Sequence, residues 1–270
     1  MGSTRKEVLD GDAADAALRG GHYAAKQIYC KDRLIAWSHR RRFETGLKLA
    51  STFRGKRLLD YGCGDGTFLA LLCTTPDRPS TAVGAELDAA QVNDCRERLG
   101  DLPGVTFDYI ANLDGDGCRG AYDGIVCMEV LEHVVDVDAV IDRLHRVLAD
   151  GGTLIVSVPV EIGLPLLVKQ AVRRVAGWRG IGDYARTGAY TLREYIASLF
   201  AGRAQHIARP IFNHGGDGVP FHDHKGFNWR ALCDRLARRF DVQRVIASPF
   251  PTLGYQFAAQ VWFVARKKTV

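Results

Sequence analysis

The sequence predicts a doubly wound α/β fold: a largely parallel sheet with helices on both faces. Two observations predict it. Short apolar runs alternate with helical patterns from about residue 57 to residue 158, and such alternation implies parallel strands joined by right-handed crossovers. In addition, Leu58-Leu59-Asp60-Tyr61 runs directly into Gly62-Cys63-Gly64-Asp65-Gly66, after which Phe68, Leu69, Leu71 and Leu72 set a helical period. That reads as strand, tight glycine loop, helix. Alternate glycines permit positive φ and let a ligand approach the backbone closely. The N–H groups that open the next helix favour an anionic group.

The elements follow in order. Residues 1–22 are polar with interspersed Gly and Asp, and predict a flexible arm. Residues 23–54 predict helices, with Ile28, Leu34, Trp37, Phe43 and Leu47 apolar among Arg33, His39, Arg40, Arg41 and Arg42. The core spans 55–160, with strands at 57–61, 81–88, 105–109, 123–128 and 153–158. Helices reach Cys73 and span 89–99, with Asp88 as N-cap, and 136–148; Ala149-Asp150-Gly151-Gly152 reads as a turn. Residues 161–227 break the alternation, with helices at 165–176 and 192–200 among Gly- and His-containing loops. A stretch of that length between core elements predicts a substrate cap. Residues 228–270 supply a helix, 228–239, and two closing strands, 241–247 and 257–265.

Composition narrows the function. The 270 residues are enough for a substantial core, and the net charge of +5 permits an acidic partner without demanding nucleic acid. Seven cysteines (Cys30, Cys63, Cys73, Cys95, Cys118, Cys127 and Cys233) are scattered without a C-x-x-C pair. That speaks against a disulfide framework or zinc ribbon and for reduced thiols in a cytoplasmic setting. The expected protein has no secretory leader and no membrane span. The helix at 165–176 is apolar at Leu166, Leu167 and Val168 and basic at Lys169, Arg173 and Arg174, which suits an ordinary cap helix or one lying on a membrane surface.

The spacing Gly62-x-Gly64-x-Gly66 differs from the dinucleotide pattern G-x-G-x-x-G, and Asp60 before it would repel a pyrophosphate. A carboxylate there suits an ammonium or sulfonium, so an NAD-linked oxidoreductase is disfavoured. With Asp60, the three glycines and the acid-ended strand Thr81–Asp88, residues 55–160 resemble the class I S-adenosylmethionine (SAM) methyltransferases. The resemblance implies a Rossmann-like seven-stranded sheet of order 3-2-1-4-5-7-6 with the last strand antiparallel, N-terminal helices forming a lid and a helical cap insertion. It implies SAM as cofactor, with Gly62, Gly64 and Gly66 admitting the amino-acid end and Asp60 positioning it. Glu86 would hold the ribose hydroxyls, Leu87 would pack on adenine, Asn112 would meet the adenine edge, and Met128 would border the methionine portion. Tyr23, Tyr29 and His39 are the lid's candidate contacts.

The fourth strand runs into Glu129-Val130-Leu131-Glu132-His133. This E-x-x-E-H segment resembles those of ubiquinone-pathway O-methyltransferases and of small-RNA terminal 2′-O-methyltransferases. In the second group a further His completes a metal shell, and Phe221-His222-Asp223-His224-Lys225-Gly226-Phe227-Asn228-Trp229 supplies His224 at the matching position, with Gly226 inserted and Asn228 replacing an acid. The resemblance thus implies Mg²⁺ or Mn²⁺ at Glu129, Glu132, His133 and His224, with His222 as a fallback. Such an ion would orient two vicinal hydroxyls and lower a hydroxyl pKa. Without it, Glu129, Glu132 and His133 would cap a helix and line the pocket, with His133 the preferred general base and Glu132 and Glu129 the other catalytic candidates; His214, His222, Tyr184 and Tyr190 are weaker candidates. The expected activity is SAM-dependent O-methylation of a small molecule such as a sugar, glycolipid or other hydroxylated metabolite. An RNA 2′-O-methyltransferase and a non-catalytic SAM-binding partner protein are the alternatives.

Overall fold

The structure, a computed structural model, describes residues 21–29, 33–178, 190–205, 207–213 and 219–268. The expected flexible arm lies almost wholly outside these residues, as do Tyr184 and His214. Nine strands are described: β1 Arg57–Tyr61, β2 Thr81–Glu86, β3 Val105–Tyr109, β4 Tyr122–Met128, β5 Leu148–Pro159, β6 Ile211–Asn213, β7 Pro220–His222, β8 Phe240–Ser248 and β9 Gln260–Lys267. The α-helices are α1 Arg33–Ala50, α2 Thr67–Cys73, α3 Ala89–Leu99, α4 Val137–Val147, α5 Leu164–Trp178, α6 Leu192–Leu199 and α7 Trp229–Arg239. A short π-helix, Ala24–Ile28, precedes α1.

Seven strands form one mixed sheet of order β3-β2-β1-β4-β5-β9-β8, the order expected once the two short strands are set aside. β1 lies parallel between β2 and β4, with Asp60 opposite Gly84 on one side and Val126 on the other. β2 pairs parallel with β3, so Glu86 ends its strand opposite Tyr109. The apolar runs are buried as their lack of alternation requires: Leu58, Leu59, Ile125, Val126, Ile155 and Val156 are at most 1% exposed.

Helix ends follow local chemistry. Asp88 Oδ1 accepts the Ala90 N–H and caps α3. Asp136 Oδ1 accepts the Ala139 N–H ahead of the stripe Val140, Ile141, Leu144 and Val147 on α4. Thr191 and Glu194 form a capping box on α6, and Asn228 caps α7 through the Arg230 and Ala231 N–H groups.

Three local expectations are corrected. β5 starts at Leu148 and runs through the turn expected at 149–152, with Gly151 at φ +69° carrying the local bend. β9 starts at Gln260, because Pro251 and Gly254 (φ +74°) put 3₁₀ turns at Pro251–Leu253 and Tyr255–Phe257. Within 161–227 the antiparallel pair β6–β7 was not anticipated.

The chain divides into two compact units. The first comprises the described residues within Met1–Met128, Asp142–Val156 and Val264–Val270; the second comprises those within Glu129–Ile141 and Ser157–Phe263. No helix among the described residues is long and apolar enough to cross a membrane.

Candidate functional site

In the first unit, β1 delivers Asp60 to the glycine loop. Gly62, Gly64 and Gly66 have φ of +72°, +56° and +72°, the left-handed region a side chain disfavours. A Cβ on Gly66 would stand 2.6 Å from Leu99 Cδ1, so α2 can begin here only behind a glycine. Asp65, 4% exposed, joins the loop to its neighbours. Its Oδ1 accepts the N–H and hydroxyl of Thr67, and its Oδ2 accepts the Tyr23 and Ala24 N–H groups. The Tyr23 ring lies against Gly64, where a Cβ would meet it at 3.2 Å. A cavity of about 350 Å³ opens beside these residues, lined by His22, Tyr23, Asp65, Ala90, Gln91 and Asp94.

Asp60 is 2% exposed and its Oδ2 has no hydrogen-bond partner. Burial, reinforced by the charge of Glu86, pushes its carboxyl up to about 8. Glu86 Oε2 accepts the Gly64 N–H at 2.8 Å and Oε1 accepts the Leu87 N–H at 2.6 Å, fixing the carboxylate at the loop. Leu87 is 53% exposed beside it. Left-handed glycines, an acid with an unsatisfied oxygen and an acid anchored at the end of β2 fit a ligand with a cationic amino-acid end and a ribose. Asn112 is exposed and donates to Asp108 Oδ1 at 2.7 Å, within the turn Ile110–Asp114. Of the other lid candidates, Tyr29 lies beneath Arg40, whose guanidinium is 5.8 Å from its ring centroid. His39 is lowered to about 3 by burial and by Arg42, and so is neutral.

In the second unit, Glu132, His133 and His224 offer ligand atoms that all lie within 4.8 Å of one another. His133 Nε2 is 3.8 Å from Glu132 Oε1, and the rings of His133 and His224 meet edge-on with centroids 4.7 Å apart. His133 Nδ1 is 2.8 Å from the His222 carbonyl, to which it donates, so Nε2 is left as the acceptor. The His222 N–H returns a bond to the His133 carbonyl at 2.9 Å. These bonds and a bridge between Val134 and Phe221 bring the β7 segment, and with it His224, to the E-x-x-E-H turn. Burial lowers His133 despite the neighbouring His222 carbonyl and Glu129. Burial and His133 lower His224 to about 4, so both imidazoles are neutral at pH 7. His224 Nδ1 is buried without a hydrogen-bond partner. The cluster fits a divalent cation.

Glu129 stands outside this trio. It has φ +56°, the one positive value among the described non-glycine residues. Its N–H donates to the Ser157 carbonyl at 2.9 Å. Its Oε1 accepts the Ser157 hydroxyl at 2.9 Å and its Oε2 accepts Gln260 Nε2 at 3.4 Å. Such backbone strain persists only where the surroundings over-determine it, which happens chiefly at functional sites. Ser157 and Gln260 carry no motif, and the sequence reading missed them. His222 Nδ1 lies 2.8 Å from the Pro210 carbonyl, and Tyr190 accepts the Gly226 N–H through its hydroxyl at 3.1 Å; both brace the cluster's loop. On α5, Lys169 turns back to buried Glu161 at 2.9 Å.

A doubly wound sheet whose first strand feeds a left-handed glycine loop, with Asp60 one residue before the end of β1 and Glu86 closing β2, defines the class of SAM-dependent methyltransferases. The chain belongs to the methyltransferase-domain family, which matches residues 36–203. A ubiquinone biosynthesis O-methyltransferase of Chelativorans sp. (strain BNC1) is 34% identical over 237 residues, 83% of this chain and 81% of the relative. One of the same description from Mesorhizobium japonicum is 27% identical over 220 residues, 79% of this chain and 78% of the relative. The PH0226 protein from Pyrococcus horikoshii OT3 superposes with a TM-score of 0.57 at 15% identity, covering 92% of this chain and 98% of that one, and shares the fold. The enzyme is thus a SAM-dependent methyltransferase.

Proposed function

We propose that this enzyme methylates an oxygen of a small acceptor carrying two adjacent hydroxyls, on an arene, a sugar or a glycolipid headgroup. The observation that carries the reading is the convergence of Glu132, His133 and His224. One carboxylate and two neutral imidazoles suit a first-row divalent ion with open positions, and two nitrogen donors favour Mn²⁺ over the oxygen-preferring Mg²⁺. Such an ion would act as a Lewis acid toward an acceptor hydroxyl. Small-molecule O-methylation also agrees with the two relatives, both of them ubiquinone biosynthesis O-methyltransferases.

The side chains divide the work. Asp60 meets the ammonium end of SAM, and Gly62, Gly64 and Gly66 leave room for it. Glu86 exchanges its loop N–H for the ribose hydroxyls, Leu87 packs on adenine, Asn112 serves the adenine edge and Met128 borders the methionine portion. Glu132, His133 and His224 would hold a divalent ion. Glu129, held by Ser157 and Gln260, presents its carboxylate to the acceptor hydroxyl and takes its proton. Methyl transfer from a sulfonium then needs little beyond alignment.

The test is transfer of labelled methyl from SAM to a panel of catechols and sugar diols, before and after chelation. Expected are a monomethyl ether, loss of turnover on chelation and recovery with Mn²⁺. Full turnover after prolonged chelation, with no copurifying metal, would remove the ion and leave His133 Nε2 as the base. No product from any diol would overturn the acceptor class.

A further inference from the structure

Resting on the cation site just proposed, we infer that Arg209 is its positioning residue: one guanidinium fastens the two chain segments that carry the three ligands. Arg209 Nη2 donates to the Glu132 carbonyl and, at 2.6 Å, to the Asp223 carbonyl; Arg209 Nε donates to the Lys225 carbonyl at 3.2 Å. The Glu132 carbonyl belongs to the peptide that joins Glu132 to His133. The Asp223 and Lys225 carbonyls flank His224 on either side. A planar fork of N–H donors is needed to serve three carbonyls at fixed angles, which a lysine ammonium on a flexible stem cannot reproduce.

The surroundings hold the fork in place. The guanidinium carbon sits 5.3 Å from the Phe227 ring centroid, and Arg209 lines a cavity of about 150 Å³ with Val134, His222, Phe227 and Arg235. Burial lowers Arg209 to about 10, so it keeps its charge at pH 7 while partly desolvated. Desolvating a charge to bond three backbone carbonyls is a costly way to fill space, since an apolar side chain of equal volume would pack there more cheaply. Its worth lies in orientation. Groups that orient ligands typically alter metal affinity by about 10–100-fold when lost.

The experiment is Mn²⁺ titration of the full chain, followed by electron paramagnetic resonance, on the wild type, Arg209→Lys, Arg209→Met and Arg235→Met. Arg235 lines the same cavity but pairs with Asp138 at 3.6 Å, and so controls for packing. Expected is a Mn²⁺ dissociation constant raised about 10–100-fold in Arg209→Met, a smaller rise in Arg209→Lys and no change in Arg235→Met. SAM affinity, measured calorimetrically, stays at the wild-type value in all of them and reports an intact fold. Wild-type protein that takes up no Mn²⁺ would sink the cation site itself and this inference with it. Wild-type uptake matched by both Arg209 variants, or an Arg235→Met loss as large as that of Arg209→Met, would overturn the role of Arg209 alone.

Discussion

At the glycine loop, neighbouring residues in the chain make the site: Asp60 to Gly66 are contiguous, and the outside contribution is Glu86 at the end of the next strand and Tyr23 against Gly64. At the carboxylate–imidazole cluster, the groups come from Glu132-His133 and from His224, and the contacts that join the two segments are the paired His133–His222 bonds across 89 residues, one of them from the His133 ring, and the bonds of Arg209. The first site rests on backbone conformation that only glycine adopts without strain; the second rests on cross-links. They should therefore fail differently. Gly66→Ala puts a Cβ at φ +72° and 2.6 Å from Leu99, which should cost about 3 kcal/mol of stability and abolish SAM binding, as denaturant unfolding and calorimetry would read. His224→Ala should leave SAM affinity and unfolding near wild type while reducing turnover at least about a hundredfold, more than the loss of a mere orienting group. Loss of both functions in both variants would erase the contrast.

A finer separation comes from Glu86→Gln. The amide keeps an acceptor for one of the two N–H groups now bonded, Gly64 or Leu87, but loses the charge-assisted character of both bonds and of those to the ribose. SAM should bind about 10–100-fold more weakly, with turnover at saturating SAM little changed. A variant that lost turnover at saturating cofactor while binding SAM normally would move Glu86 out of the cofactor site.

The same difference explains what could be read from the sequence. The strands, the helices and the loop follow from contiguous patterns, namely apolar runs, glycines at alternate positions, and caps at Asp88 and Asn228, whereas the strand order came only with the resemblance. Glu132 and His133 stand next to each other, and His224 was reached through a resembling segment. The strain at Glu129 was not legible, because Ser157 and Gln260, which hold it, lie 28 and 131 residues away. Neither was the β6–β7 pair, whose three-residue strands are too short to show alternation. Arg209 looks like any surface arginine until the three carbonyls around it are seen. Lys169, read as part of a basic face, is tied to Glu161 instead.

The smallest effect concerns protons at the glycine loop. With its carboxyl raised to about 8 by burial and by Glu86, Asp60 is protonated in the ligand-free enzyme below that pH. A cation placed beside it favours the carboxylate, so binding SAM must release a proton. Affinity should therefore rise with pH, by up to about tenfold per unit below pH 8, and level off above it. Folding stability moves the other way. The unfolded chain ionises Asp60 from about pH 4 upward, whereas the folded chain holds the proton, so this residue's contribution is complete below pH 4 and is lost as pH rises through 8. Calorimetric titrations of SAM at pH 6, 7 and 8, each in two buffers of different ionisation enthalpy, separate the released proton from the binding heat. Asp60→Asn should bind SAM with an affinity flat across that range. A wild-type affinity equally flat, with no proton released, would mean that Asp60 is already ionised and that its unsatisfied oxygen is held by something other than a proton.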